Sequence, residues 1–458
     1  MSHINDTIFA LSSGRPPAAI AVVRISGPHS RVALEKLIGR IPEPRKAALA
    51  RVRDPENGEM IDEALALWFP GPRSETGEDT AELQLHGGRA VVAAVLTVLG
   101  KFDGFRLAEP GEFTRRAFEN GQLDLTQVEA LADLVSAETQ AQRRQAFQQL
   151  RGLLGNRAEL WRRRVIEAQA LVEAGIDFSD EGDVPQGLVT RALRIVGPLA
   201  AEITQAVAGA GRGERLREGL CVAIAGPPNA GKSTLLNRIA GREAAIVSPY
   251  AGTTRDLIEV HLDLHGYPVN LLDTAGVREA SEDPVEREGI RRAREATGRA
   301  DLVLWVVDAE ASGTVGSLTG PLEPIGAEAA RWVVVNKIDL IDVQTGAKLK
   351  KGLADSSDVH FVSAANGQGL DILIASLARF AAGFFTSEPA LVTRQRQHTI
   401  LLEVADALAR ACASGEGAGD ELVAEHLRRA ATGLGRLTGR VDVEEILDVI
   451  FRDFCVGK

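Results

Sequence analysis

The chain has little cysteine, few aromatic residues and no surplus of positive charge, and each shortage narrows what it can be. Its three cysteines, Cys221, Cys412 and Cys455, are an odd number in 458 residues and show no CxxC spacing. Neither a disulfide framework nor a structural zinc site is expected, and a reducing compartment is. Lys and Arg total 52 against 63 Asp and Glu, a net charge of −11, which argues against gripping nucleic acid through bulk charge. Any RNA contact would need local basic patches, and Arg115/Arg116, Arg143/Arg144 and Arg162 to Arg164 are the candidates. No stretch approaches the roughly 18 apolar residues of a membrane span. The N-terminus has no basic segment leading into an apolar one. A cytoplasmic protein with no membrane partner is expected.

What is present is an aliphatic globular composition, 45% apolar and 25% charged with only 4% aromatic, which excludes global disorder. At about 150 residues per domain the length suggests about three domains. Up to about residue 120, apolar runs such as Ala19 to Ile25 and Ala64 to Phe69 alternate with Gly and Pro punctuation, the pattern of short strands with one or two helices. From Leu125 through Val128, Leu131, Ala132 and Val135 the apolar spacing becomes helical. Strand and loop texture returns from about Leu216 to Phe384, and a second helical stretch follows from Leu391. Helical blocks on both sides of an α/β unit predict that this unit is inserted into one helical domain.

The strongest motif is Gly226-Pro-Pro-Asn229-Ala230-Gly231-Lys232-Ser233, set between the apolar run Cys221 to Ala225 and the helical run Leu235 to Ala240. That is the context of a phosphate-binding loop. Its glycines let amide N–H groups turn toward phosphates, the helix start at Ser233 and Thr234 adds a positive dipole end, Lys232 reaches the terminal phosphates, and Ser233 suits Mg²⁺. Asp273-Thr274-Ala275-Gly276 ends a strand-like run, which sets Asp273 near the metal and the Gly276 N–H near the γ-phosphate. In Asn336-Lys337-Ile338-Asp339 the Asp339 carboxylate can accept from two guanine N–H groups that adenine does not offer, a preference worth up to about 10⁴-fold. Ser363-Ala364-Ala365 would add a backbone contact to the guanine oxygen. These four elements in this order predict a GTPase. Val277 stands where Ras-like enzymes carry a water-orienting glutamine, so that function must come from elsewhere.

The segments GPPNAGKSTLLN, AGTTRD, LLDTAGVRE and NKID resemble those of the bacterial Era- and Der-like GTPases. Reading outward, AIAVVRISG, TGEDTAELQLHGG, RLAEPGEFTRRAF, LDLTQVEALADLV and the terminal FCVGK resemble the TrmE (MnmE) family of tRNA-modification GTPases over essentially the whole chain. The resemblance implies a multidomain α/β architecture. An α+β domain at 1–121 would bind tetrahydrofolate and dimerise, a helical domain would combine 122–215 with 385–458, and a P-loop G domain would be inserted at 216–384. It extends the GTP-binding set through switch one, Ser248, Pro249, Tyr250, Ala251, Gly252, Thr253 and Thr254, with Thr254 joining Ser233 on Mg²⁺. Potassium would sit on Asn229 and on Ser248, Tyr250 and Thr253. Glu286, in Val285-Glu286-Arg287, would position the hydrolytic water, although Pro284 and one extra residue lie between it and the Asp273 motif.

The same resemblance places 5,10-methylene- or 5-formyl-tetrahydrofolate on Arg24 and Glu82, which alternation alone would leave facing solvent. Gln122 replaces a family lysine and so removes a charge from the folate tail, and the terminal Cys455 and Lys458 would reach toward the folate. The implied reaction adds a carboxymethylaminomethyl or aminomethyl group to C5 of a wobble uridine in tRNA, with the FAD-dependent partner MnmG (GidA) supplying the flavin. Two alternatives stand beside it. A ribosome-assembly GTPase of the Era or Der type would carry a KH-type module with a GxxG loop where this chain has helices. A GTP-dependent scaffold with a vestigial folate site has Gln122 as its hint.

Overall fold

Alternating small and branched apolar residues build the N-terminal strands β1 (Thr7–Leu11), β2 (Ala18–Ser26), β3 (Ala48–Arg53), β4 (Met60–Phe69), β5 (Thr80–Gly87) and β6 (Phe105–Leu107). The computed structural model describes residues 6–177, 187–241, 259–273, 300–310, 329–342, 344, 358–385, 390–414, 419–441, 447, 450–452, 454 and 457. The six strands form one sheet in the order β3-β4-β5-β2-β1-β6, antiparallel except for the parallel pair β1 and β6. Because side chains alternate across a strand, one face collects Val23, Ile25, Ala50, Val52, Ala64, Ala66, Trp68, Leu83 and Leu85. Helices α1 (Ser30–Ile38) and α2 (Arg89–Leu99) cover that face with Leu34, Leu37, Val95 and Leu99. The opposite face is partly covered too, by Phe113 of α3 (Glu112–Glu119), which clusters with Ile8, Ala10 and Ala108.

Helices α4 (Leu125–Ser136), α5 (Gln140–Leu150), α6 (Leu153–Asp177), α7 (Leu188–Ala208) and α8 (Ala210–Glu218) follow the helical spacing read from the sequence. The second sheet is made of β7 (Leu220–Ala225), β8 (Glu259–Leu264), β9 (Tyr267–Asp273), β10 (Leu302–Asp308), β11 (Ala330–Asn336) and β12 (Val359–Phe361), in the order β12-β11-β10-β7-β9-β8. Only the edge strand β8 runs antiparallel. Near-continuous apolar runs such as Leu302 to Val307 suit strands buried on both faces. Helix α9 (Lys232–Ala240) and α10 (Leu370–Phe385) contribute Leu235, Leu236, Ile239, Leu373 and Leu377 to that core.

After α10 come α11 (Gln395–Ser414) and α12 (Asp420–Thr438). Helix α12 packs along α6, some 260 positions earlier in the chain, which is the closure expected of an α/β unit inserted into a helical domain. Gly433 lets α12 come close to α11 instead, since a Cβ there would lie 2.7 Å from Val404 Cγ2. The chain divides into two compact units. One comprises Met1–Ala132, Gln149–Ala200 and Glu403–Lys458, the other Asp133–Gln148 and Ala201–Leu402. Among the described residues no helix is long and apolar enough to cross a membrane.

Candidate functional site

In the second unit β7 lies between β9 and β10, so the chain leaves its carboxyl end where the strand order reverses, the place where open parallel sheets take ligands. The loop from Gly226 to Gly231 fills this crevice and feeds α9. Gly226 has φ 141°, and a Cβ there would lie 2.1 Å from the Val306 carbonyl oxygen. Gly231, the N-cap of α9 at φ 90°, admits no Cβ either, because Asn336 Nδ2 would stand 2.3 Å from it. Asn229 takes φ 61°, a left-handed conformation that Asn tolerates better than most residues. Ala230 is buried, whereas Asn229, Ser233 and Thr234 are exposed at the mouth. Lys232 Nζ donates to the carbonyls of Gly226 and Pro227 at 2.8 and 2.9 Å.

Parallel register brings the other motifs to the same edge. Asp273 ends β9 opposite Ile224, and Asp308 ends β10 opposite Asn336, the last residue of β11. The buried Asn336 side chain donates to Ala230 O at 2.8 Å and accepts from Ala364 N at 2.9 Å. It therefore straps the phosphate-type loop to the Ser363-Ala364-Ala365 turn, a structural duty that its place in the Asn336-Lys337-Ile338-Asp339 motif did not reveal. Lys337, at φ 63°, pairs with Asp308 at 2.7 Å. Asp308 was not singled out in the sequence, and its only signal is its place at the tip of an apolar strand. Ile338 is half-buried and Asp339 exposed. The Ser363 and Ala364 amides are donated to Gln368 O and to Asn336, while Ala365 is exposed and its carbonyl accepts from Arg238 at 2.6 Å.

Ser248, Pro249, Tyr250, Ala251, Gly252, Thr253, Thr254, Thr274, Ala275, Gly276, Val277, Glu286, Cys455 and Lys458 lie outside the described residues, and only the backbone of Asp273 is described.

The first unit holds a second constellation. Arg24 on β2 and Glu82 on β5 are register partners, and Arg24 Nε and Nη2 reach Glu82 Oε1 at 3.0 and 2.9 Å. Arg24 Nη1 meets Glu75 at 2.5 Å, and the guanidinium lies 5.8 Å from the Phe113 ring centroid. Strand alternation alone would leave both residues facing solvent. Instead both side chains are 17% exposed, because Phe113 lies over this face and Glu75 closes it from the loop. Next to Glu75, Thr76 bonds Ser26 at 2.7 Å and Ser26 donates to Glu78 at 2.8 Å. Gln122 is exposed and stands beside Gly77 of the same loop, whose Cβ would come 3.2 Å from Gln122 Nε2. The tail also returns here. Gly457, at φ 96°, packs so tightly that a Cβ would lie 2.3 Å from Leu11 O, one register position from the pairing of Ala10 with Arg24.

Below this cluster Arg116 bonds Asp6, Glu78 and Glu112, while Arg106 bonds Asp6 and Glu112. Burial alone would raise the Asp6 and Glu112 carboxyls, but for Asp6 the bonds from Arg106 and Arg116, and for Glu112 that from Arg106 and the Glu109 amide, hold them below the ordinary carboxylate range. Arg116 is 9% exposed and held in this network, whereas Arg115 is half-buried over Phe451 and faces Glu119, so Arg116 offers no free charge to RNA. Burial, followed by the Asp301 charge, pushes the Cys221 thiol up to about 11, and burial raises Cys412 as well. Neither is an activated nucleophile.

Two family models match. One described as GTP-binding protein TrmE N-terminus covers residues 7–122, and one described as MnmE helical domain covers 125–455. Curated relatives named tRNA modification GTPase MnmE align end to end. The protein from Rhodopseudomonas palustris strain BisB18 is 56% identical over 458 residues, and that from Bradyrhizobium sp. strain BTAi1 is 54% identical over 459, each covering 100% of both chains. Among solved structures, an Era variant from Aquifex aeolicus with GDP and tetrafluoroaluminate is 26% identical, covers 41% of this chain and 65% of its own, and has a TM-score of 0.29. The G domain of the Thermotoga maritima FeoB iron transporter is 31% identical over 35% of this chain and 98% of its own, at a TM-score of 0.26.

Proposed function

The chain belongs to the MnmE (TrmE) family, and on that premise we propose that it hydrolyses GTP in the service of tRNA modification. The observation that carries the hydrolase half is the Asn336 strap. It makes the phosphate-type loop and the base-type loop one rigid body, so a bound nucleotide meets preset donors. Lys232 exchanges the Gly226 and Pro227 carbonyls for phosphate oxygens. Asp339 accepts from guanine, and of the Ser363-Ala364-Ala365 turn the Ala365 amide is the donor to the guanine oxygen, since the other two amides are already donated.

A hard cation suits the exposed Ser233 hydroxyl, and with Thr254 that residue would hold Mg²⁺, which neutralises charge on the phosphates when bound. Asn229, held open in its left-handed turn, fits a neutral oxygen cage for K⁺ together with Ser248, Tyr250 and Thr253. Equal hydrolysis rates in KCl and NaCl at matched ionic strength would remove that assignment. Glu286 orients the attacking water.

The finer reading follows the family. Boundaries at 121, 215 and 384 separate a folate-binding domain, a helical domain and a G domain, and the chain acts as a cytoplasmic homodimer. With the FAD-dependent MnmG it adds the aminomethyl-type group to C5 of a tRNA wobble uridine. The one-carbon unit comes from tetrahydrofolate seated near Arg24 and Glu82, with Gln122, Cys455 and Lys458 close by. Arg24 is oriented by two carboxylates and an aromatic ring, which is a preorganised cation rather than a loose surface one. The test is mass spectrometry of total tRNA nucleosides from a strain lacking the gene. Loss of the C5-aminomethyl uridines, restored by wild type and not by Glu286→Ala, is expected. An unchanged profile would sink the modification reading.

A further inference from the structure

With Arg116 committed inside the first unit, a further basic surface of this acidic chain draws notice. Residues 31–53 hold seven cations, Arg31, Lys36, Arg40, Arg45, Lys46, Arg51 and Arg53, against Glu35 and Glu43, and all seven are exposed. The segment's net +5, from 7 minus 2, stands against −11 for the whole chain. Four of them, Lys36, Arg40, Arg51 and Arg53, line one groove of about 570 Å³ between the end of α1 and the edge strand β3.

Their partners decide what the groove can bind. Arg40 Nη2 donates to Leu49 O at 2.7 Å and Arg53 Nη1 to Gly58 O at 3.1 Å. Each guanidinium is thus aimed by a neutral carbonyl, and neither has an ion pair among the described residues. Lys36 stands 4.5 Å from the Phe102 ring centroid, and Arg51 meets only the exposed Glu63 at 2.9 Å, a pairing of little net strength in water. The one carboxylate on the groove, Asp54, is approached by Lys101 at 4.0 Å. The result is a row of oriented cations of which Arg40 and Arg53 carry no ion pair among the described residues, a donor set that phosphodiester oxygens select.

We propose that this groove binds the phosphate backbone of RNA and is the chain's own contact to tRNA. The proposal rests on the tRNA-modification reading and adds the surface. Arginines on an edge strand also deter strand-to-strand pairing, but Lys36 and Arg40 lie on or just after α1, outside β3, where that protection is not needed.

The experiment is fluorescence anisotropy of the full-length protein with labelled unfractionated tRNA from about 50 to 200 mM KCl. Arg40→Gln with Arg53→Gln is expected to weaken binding about tenfold and to lower the log–log salt slope by about 2, one for each lost phosphate contact. Arg40→Glu with Arg53→Glu weakens it further. Circular dichroism and GTP hydrolysis stay at wild-type values, and the control pair Arg143→Gln with Arg163→Gln keeps the full slope. Unchanged affinity and slope in both groove variants overturn the proposal, as does a wild-type protein that binds no tRNA. If the variants keep tRNA but lose retention of the flavoprotein partner, the groove is a protein surface and the RNA assignment is wrong. Failure of the modification reading shows separately, as an unchanged nucleoside profile in the deletion strain.

Discussion

The crevice above β7 and the arginine cluster above β2 are built in opposite ways. The first is made of backbone. Gly226, Asn229 and Gly231 hold positive φ values within six residues, and one side chain, Asn336, locks the turn. The second is made of side chains drawn from across the unit, with Asp6, Arg24, Glu75, Glu78, Glu82, Arg106, Glu112 and Arg116 meeting through strand pairing and one helix. A backbone site tolerates almost no change at a few positions. A side-chain site spreads its energy over many bonds, so each single change should cost less and depend on pH.

The sharpest way to break this contrast is Gly226→Ala. Its Cβ would overlap the Val306 carbonyl, and GTP affinity is expected to fall by more than about 1,000-fold, near 4 kcal/mol, in a fluorescent-nucleotide titration. Near-normal binding would mean the loop is not the rigid cradle described here.

Next in size is Arg116→Met, which leaves Asp6, Glu78 and Glu112 short of a cation in a buried setting. A loss of about 3 kcal/mol is expected in urea unfolding at neutral pH, with Arg106 limiting the damage. Asp6 and Glu112 have lowered pKa values in the folded chain. The stability they contribute is therefore present above the ordinary carboxylate pKa of about 4 and is lost as pH falls through the lowered values. Wild type should lose more stability than Arg116→Met between about pH 5 and 3. Equal losses would show that the network is not the acid-sensitive element.

The smallest effect expected is from Gln122→Lys. A restored exposed cation beside the Gly77 loop should tighten 5-formyl-tetrahydrofolate by about two- to fivefold in calorimetry, in keeping with the modest worth of exposed charge. No change would place Gln122 away from the folate tail.

These differences also explain what was legible in the sequence. The strands Cys221 to Ala225, Val269 to Leu272 and Trp332 to Val335, and the helix after the loop, were readable because apolar runs bounded by Gly, Asp and Asn carry their own punctuation. For Arg24 and Glu82 alternation alone could not tell burial, because it says only which face a residue takes, and Phe113, 89 positions later than Arg24, decides whether that face is covered. Of the basic clusters, Arg143 and Arg144 are exposed as read, and Arg115 with Arg116 is the one that departs. Arg115 and Arg116 look like a surface patch in sequence, yet Arg116 is the center of a buried ion network, while the cations at 36, 40, 51 and 53 are spaced too widely to read as a cluster.

The sequence alone therefore determined the nucleotide-type site, because glycines, a helix start and strand-end acidic residues fix a backbone path through local sterics and hydrogen bonding within a few residues. Tertiary structure alone decided which arginines meet carboxylates, which face solvent in a groove, and that Asn336 is a strap. Those outcomes depend on which strands pair and which helix lies over them, long-range choices that no local spacing encodes.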